Sequence, residues 1–343
     1  MNIEQKILEA LKSAPRLSVS ELNSNANLGE RTYVSRTLAQ MAKEGKITRE
    51  KSGREVFYSL KNTLIALEEN LNLRGLAEDQ VWQRAIENPD FKSLLSENTE
   101  NILFFAFTEM LNNAIDHSRS NLGYVKIWQE ENNFHFLVED KGIGIFRNFL
   151  AKKHLPSVEV AIGELVKGKQ TTAPHRHSGE GIFWTSKIAD KLVITSYDYQ
   201  LIFNNSIKDY AIKPLDSSDF FLGTRIFFTI SRDTSKSLGA IFEKYSLNNS
   251  TFTFDTTSIP VKLFESGDVW ISRSQAKRIL SGLENYQKII FDFAGIEIAG
   301  QGFIDEIFSV FHRAHPNITL EAINTTKTLD ILISRALHDP TGN

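Results

Sequence analysis

The sequence predicts a multidomain α/β (α+β) protein built from three modules along 343 residues. Three observations carry this. Residues 1–62 read as three short helices followed by a β-hairpin. Residues 96–235 open on one apolar helix with a polar face and continue as strands joined by glycine-containing turns. Residues 250–338 alternate strand and helix patterns, which argues for a small α/β domain. Residues 63–95 read as a helical connector, on the spacing of Leu64, Leu67 and Leu71 and then of Val81, Trp82 and Ile86, with a break at Asn88-Pro89.

Composition narrows the function classes. The chain is 41% hydrophobic and 24% charged, ordinary values for a globular protein. It has no cysteine, so disulfides and thiolate metal sites are excluded. Met1-Asn2-Ile3-Glu4-Gln5 lacks the basic and apolar regions of a signal peptide. No apolar run is long enough to span a bilayer, so no membrane is expected and the localisation expected is cytoplasmic. Residues 1–61 carry eleven Lys/Arg against seven Asp/Glu, a net of +4, which leaves −7 for the rest of a chain whose total is −3. A basic first module on an acidic body points to a separate partner for that module.

In the first module, Ile3, Ile7, Leu8 and Leu11 lie on one helical face, and Pro15 ends that helix. Ser18-Val19-Ser20-Glu21 is a capping-box pattern opening a second helix. A third helix, from about Glu30 to Glu44, buries Val34, Leu38 and Met41 and stops at Gly45. Lys46–Glu50 and Glu55–Leu60 read as two strands around a turn at Ser52-Gly53. This order resembles a winged helix-turn-helix. The resemblance implies a third helix in the major groove and a wing on the backbone. Arg31, Arg36 and Lys43 would then lie on or near the reading helix, and Lys46, Arg49, Lys51 and Arg54 along the wing, where cations neutralise phosphates. A winged helix used for protein contacts or dimerisation is the alternative.

The second module centres on Glu109-Met110-Leu111-Asn112-Asn113-Ala114-Ile115-Asp116-His117-Ser118, fed by the apolar run Ile102–Phe107. Helical spacing places Glu109, Asn113 and Asp116 on one face. Polar groups on a buried face are costly unless paired or bound to something. A strand at Gly123–Trp128 follows, then Phe134–Val138 running into Glu139-Asp140-Lys141-Gly142-Ile143-Gly144. Two glycines one residue apart after an Asp let a backbone pass close to a ligand. About thirty mixed polar residues follow, with Lys152, Lys153, Lys167, Lys169 and Arg176 among them. They end at His177-Ser178-Gly179-Glu180-Gly181, which opens a helix through Ala189. Glycines before a helix start expose N–H groups to an anion. Leu192–Thr195, Leu201–Phe203 and Gly223–Ile230 read as closing strands.

The ordered set of ExxxN, DxGxG, GxG before a helix and a late Gly-Thr strand resembles the ATPase superfamily of gyrase, the Hsp90 chaperones, histidine kinases and MutL. The resemblance implies an α/β sandwich with a mixed sheet covered on one side by helices. It implies ATP and Mg²⁺ as cofactors. Asn113 would ligate Mg²⁺, Asp140 would accept from the adenine amino group, and Gly142 and Gly144 would admit the nucleotide. Gly179 and Gly181 would bring amides to the phosphates, with Lys169 among the lid cations of residues 146–178, and Thr224 would support the adenine end. Glu109 would orient or deprotonate the attacking water, and Asp116 would assist through water. The chain departs from the family by lacking the third glycine after Gly181. No histidine precedes His117, so a histidine autokinase is excluded. The Asp116-His117-Ser118 ending looks closer to the bacterial anti-sigma and serine-kinase branch. Gly163–Gln170 nearly matches a P-loop, but Gln170 stands where the Mg²⁺-binding hydroxyl belongs and no apolar strand precedes it. The pairs His175/His177 and His312/His315 lack a third metal ligand and are expected to be exposed or structural.

In the third module, Ser235–Ser250 reads as a linker, and Thr251–Phe254 and Val261–Phe264 as strands. A helix is expected from Ser272 to about Leu283, a buried strand at Lys288–Phe293, a helix around Phe303–Phe311, a strand at Ile318–Leu320 and a last helix at Thr328–Leu337. Asp292–Ile296 with Gly300–Glu306 resembles the STAS-like domains found after such ATPases. In anti-sigma antagonists of that type a Ser near the helix start accepts phosphate. Here the loop is Ala299-Gly300-Gln301-Gly302, so docking to a protein partner, or buttressing of the ATPase module, is expected instead.

Together these readings describe an ATP-binding, slowly hydrolysing regulator that couples nucleotide state to DNA or to a protein partner. A serine/threonine protein kinase of anti-sigma type is one alternative. An ATPase of a defence or stress system, using its winged helix for protein contacts, is another. A homodimer stays open.

Overall fold

The structure, a computed structural model, describes residues 2–12, 17–26, 28–52, 55–60, 63–168, 180–246, 255–264 and 272–338. The chain divides into two compact units, residues 1–64 with 129–132, and residues 65–128 with 133–343.

In the first unit, α1 (Ile3–Lys12) is followed by the short β1 (Leu17–Ser18), α2 (Val19–Ala26), α3 (Arg31–Lys43), β2 (Ile47–Ser52) and β3 (Glu55–Leu60). The expected capping box closes at the start of α2: Ser18 N–H donates to Glu21 at 2.7 Å, and Glu21 N–H to Ser18 Oγ at 3.3 Å. At the end of α3, Gly45 takes a φ of 71°. Its N–H donates to the Ala42 carbonyl, and the Lys46 N–H to the Met41 carbonyl, so two terminal carbonyls are satisfied. Val34, Leu38 and Met41 point into a core with Ile7, Leu11, Leu22, Ile47 and Tyr58. The three strands pair antiparallel in the order β1-β3-β2.

The connector is where the sequence reading fails first. Residues Thr63–Asn72 form β4, not a helix. The leucine spacing fits a helix, but β4 supplies the outermost strand of a seven-stranded sheet, and pairing with its neighbour overrides the local pattern. Helices follow at α4 (Glu78–Ile86) and α5 (Pro89–Leu94), then the long α6 (Glu97–His117). Ser96 and Thr99 cap α6 reciprocally.

The sheet is completed by β5 (Leu122–Glu130), β6 (Asn133–Asp140), β7 (Lys191–Tyr197), β8 (Tyr199–Asn204), β9 (Asp209–Pro214) and β10 (Phe221–Ser231). Three helices lie between β6 and β7 in the chain: α7 (Ile145–Lys153), α8 (Val158–Val166) and α9 (Gly181–Ile188). Strand order is β4-β5-β6-β10-β7-β8-β9, and β10 runs antiparallel to both β6 and β7. One sheet face buries Phe134, Phe136, Val138, Ile226 and Phe228. Phe107 of α6 meets Phe136 edge-on at 5.6 Å, and Phe136 stacks on Phe228 at 4.6 Å. The stretch expected as polar lid contains two helices, α7 and α8. α8 buries Ala161, Ile162, Leu165 and Val166, an apolar stripe obscured by the charged residues around it. Gly163, the first glycine of the P-loop lookalike, lies inside this helix, which no phosphate loop would allow.

The expected linker contains α10 (Leu238–Lys244). Residues 251–254, expected as a strand, lie outside the described residues. The edge strand is instead β11 (Thr256–Pro260), and Val261–Phe264 is a short 3₁₀ turn rather than a strand. Then come α11 (Arg273–Leu280), β12 (Lys288–Asp292), α12 (Gln301–Asp305), a π-helical run at Glu306–Phe311, α13 (His312–Ala314), β13 (Thr319–Ile323) and α14 (Lys327–His338). The three strands are parallel in the order β11-β12-β13. Their core is not confined to this domain: Phe183 and Trp184 of α9 and Tyr245 after α10 belong to the same buried cluster as Ile259, Phe291 and Phe303.

Candidate functional site

A cleft opens between α6 and the middle of the large sheet. α6 lines it with Met110, Asn113, Ala114 and His117, spaced three or four apart and therefore on one face. Ser118, Val138, Asp140, Ile145, Thr224 and Ile226 complete the walls. The enclosed room is about 30 Å³, which is water-sized, and about 370 Å³ when the solvent-open mouth is counted.

Asp140 ends β6 at 4% exposure. Its Oδ1 accepts from the Gly142 N–H at 2.8 Å, and its register partner across the sheet is Thr224. Burial raises its carboxyl above the usual range, against the lowering effect of the Gly142 N–H and of the Thr224 hydroxyl and N–H. Thr224 Oγ1 also accepts from the Ile145 N–H at 3.0 Å, so one hydroxyl ties the carboxylate to the start of α7.

The glycines of the loop are there for contact. A Cβ on Gly142 would lie 1.9 Å from the Ser118 carbonyl oxygen, so this residue presses the loop onto the end of α6. The Ile143 N–H donates to that same carbonyl at 2.9 Å. Gly144 has φ 74° and would clash with Ser196 and the Tyr197 ring if it bore a side chain.

Three supporting residues went unassigned in the sequence. Gly223, at φ 98°, lies so close to Asp140 that a Cβ would sit 2.1 Å from its carbonyl oxygen. Ser196 Oγ donates to the Gly223 carbonyl, and Tyr197 OH to the Gly142 carbonyl. A glycine next to Thr224 at the start of a strand is the one available signal, since such a glycine marks a close approach or a bulge. The ladder does shift register between Phe221 and Thr224.

Glu109 and Asn113 are half-buried on α6. Glu109 faces the start of α9: a Cβ on Gly181 would lie 2.1 Å from Glu109 Oε2. Asp116 is half-buried, and neither it nor Glu109 is among the cleft-lining residues, of which Asn113 is one. Lys169 and Gly179 lie outside the described residues.

Lys167 departs from its expected place among lid cations facing a triphosphate. It is 1% exposed. Its ammonium donates to the Glu164 carboxylate and to the carbonyls of Ser281 at 2.6 Å and Arg278 at 3.3 Å. Its own carbonyl accepts from Thr257 Oγ1 and Tyr286 OH, both at 2.7 Å. The charge is thus spent holding α8 to the C-terminal domain. Burial lowers its pKa.

On the helical unit, Arg31, Arg36, Lys43 and Arg49 are exposed, and Arg54 lies outside the described residues. Lys46 is already committed: its ammonium is 2.8 Å from both Glu4 and Glu44.

Among the described residues no group of three or more His, Asp or Glu side chains is placed to hold a metal, and no helix is long and apolar enough to cross a membrane. Residues 275–330 match the model of a STAS-like domain of unknown function (DUF4325), from within α11 to the first turn of α14. No curated protein matches the chain. The C-terminal domain is therefore STAS-like, and the chain is a mixed α/β protein of more than one domain.

Proposed function

We propose that the chain is an ATP-binding, slowly hydrolysing regulator in which the cleft between α6 and the large sheet takes Mg·ATP. The observation that carries this reading is the buried Asp140 carboxylate with Thr224 opposite and Gly142 pressed on α6. An ionised carboxylate only accepts hydrogen bonds, which suits the amino group of adenine. The enclosed part of the pocket beside Asp140 is only water-sized, so a purine would occupy its open mouth. Asn113 would hold Mg²⁺, whose charge neutralises the phosphates; its amide oxygen is a suitable hard ligand, and the phosphate oxygens would complete the shell. The N–H groups at the start of α9, beginning with Gly181, favour an anion at that end of the cleft. Glu109 Oε2, beside Gly181, would take the proton of the attacking water.

The helical unit reads as a winged helix that contacts DNA through Arg31, Arg36, Lys43 and Arg49, with the nucleotide state of the cleft setting its affinity. The STAS-like domain reads as the docking element for a protein partner.

Calorimetric titration with Mg·ATP tests the core of the reading. Wild-type protein should bind, and Glu109→Ala should bind equally while losing turnover. Turnover like the wild type in that variant removes Glu109 from its role, and absence of ATP binding by the wild type overturns the proposal.

A further inference from the structure

We infer that the STAS-like domain positions the catalytic end of the cleft through α9, which makes Lys187 a positioning residue; this rests on the ATP reading of the cleft. α9 has two ends with different allegiances. Its first residue, Gly181, touches Glu109 Oε2 so closely that no side chain fits between them. Its next turns belong to the buried core of the STAS-like domain. Phe183 meets Tyr245 edge-on at 5.1 Å, and Trp184 meets Phe242 at 4.8 Å. The indole N–H of Trp184 reaches back to Glu180 Oε2 at 3.4 Å, so the residue capping the helix start is tied to a ring in that core.

Lys187 adds a polar anchor. Its ammonium donates to the Ser258 carbonyl of β11 at 3.0 Å and lies over the rings of Phe183 and Tyr245 at 5.0 and 5.9 Å. β11 is buried along its whole length, so this carbonyl is a fixed point. An eight-residue helix is about 12 Å long, little more than two hydrogen-bonded turns. Close-packed interiors pass displacements on rather than absorbing them. A shift of β11 is therefore delivered to Gly181, and from there to the carboxylate that would handle the water. α8 is fastened to the same domain independently, through Lys167. The helices before and after residues 169–179, α8 and α9, are thus both fastened to the STAS-like domain.

The test uses the full chain with Ile259→Val, which loosens the STAS-like core around β11 by a single methyl group, and Lys187→Met, which removes the anchor without leaving an unpaired buried charge. Lys187→Arg is the conservative control, and Phe91→Leu, in a core region remote from α9, controls for general destabilisation. In each variant, kcat, ATP affinity and amide exchange of α9 without nucleotide are measured. Both test variants should lower kcat about five-fold or more while the ATP Kd stays within about two-fold, and Lys187→Arg should restore most of it. Exchange at the first turn of α9 should accelerate by about ten-fold, and Phe91→Leu should change neither readout. Unchanged kcat and α9 protection in the two test variants, or equal effects of Phe91→Leu, overturn the inference. The exchange arm needs no nucleotide. If wild-type protein binds no ATP, the reading of the cleft fails, while α9 protection still decides whether the STAS-like domain holds this helix.

Discussion

Burying its carboxylate leaves Asp140 as a standing cost to the fold, opposed by the Gly142 and Thr224 hydrogen bonds and by the nearby charge of Lys141. Its folded pKa lies above the unfolded value near 3.8, so the folded state holds the proton longer. The associated stability is complete below that unfolded value and is lost as pH rises through the raised folded pKa. Asp140→Asn should remove this pH dependence in urea unfolding between pH 4 and 7. At pH 7 it should equal or exceed the wild type by about 1 kcal/mol, while ATP affinity falls about ten-fold. A less stable variant, or unchanged ATP affinity, argues against a residue kept for binding. Gly142→Ala should behave oppositely. Its Cβ meets backbone rather than a movable side chain, so thermal unfolding should show a loss of about 2 kcal/mol or more. Gly181→Ala meets only the tip of Glu109, so the fold should survive while turnover drops. Asp140 and Gly142 stood out because glycines after a strand-end carboxylate signal backbone approach, whereas Thr224 came only from the resemblance to the ATPase superfamily. Ser196 and Tyr197 were not, since nothing local marks a hydroxyl that reaches across the sheet to a loop carbonyl.

At the scale of elements, the sequence is readable where the local pattern and tertiary context agree. α3 shows this: its apolar spacing, its stop at Gly45 and its exposed Arg31 and Arg36 are all visible in the chain. β4 shows the reverse, because its leucines fit a helix and only the neighbouring strand decides otherwise. α8 was obscured for a related reason: its partner surface lies about a hundred residues further on, in the STAS-like domain. The exposed cations of the first unit differ in their commitments. Lys46 is paired with Glu4 and Glu44, which raise its pKa, whereas Arg36 stands exposed on α3. In a DNA titration at several salt concentrations, Arg36→Ala should weaken binding and lower the salt slope by about one, because one phosphate contact is lost. Lys46→Ala should leave the slope unchanged. Equal losses from both would mean the two ion pairs do not hold Lys46 away from phosphate.

On the scale of the molecule, the junction between the large sheet and the STAS-like domain joins apolar packing to two buried cations, Lys167 and Lys187. Lys187 is half-buried as a residue, yet its ammonium is enclosed and its pKa falls to about 8, chiefly through burial. Asp292 across the junction favours the charged form, and Lys244 on α10 opposes it. The folded value lies below the unfolded 10.5, so between these two pH values the unfolded chain binds more protons. Stability should therefore rise as pH increases from about 8 toward 10.5, by at most roughly 3.5 kcal/mol for the full shift. Tyr245, at the same junction, works in the other direction. Burial pushes its phenol up to about 12, above the unfolded value near 10, so stability is lost as pH climbs through that interval. The two titrations together predict a maximum in thermal stability near pH 10, above the ordinary range for globular proteins. Lys187→Met should abolish the rise and keep the alkaline fall, and Tyr245→Phe should keep the rise and reduce the fall. Scanning calorimetry from pH 7 to 11 separates these outcomes. A wild-type profile that only declines over that range would mean that the ammonium of Lys187 is solvated and does not anchor β11.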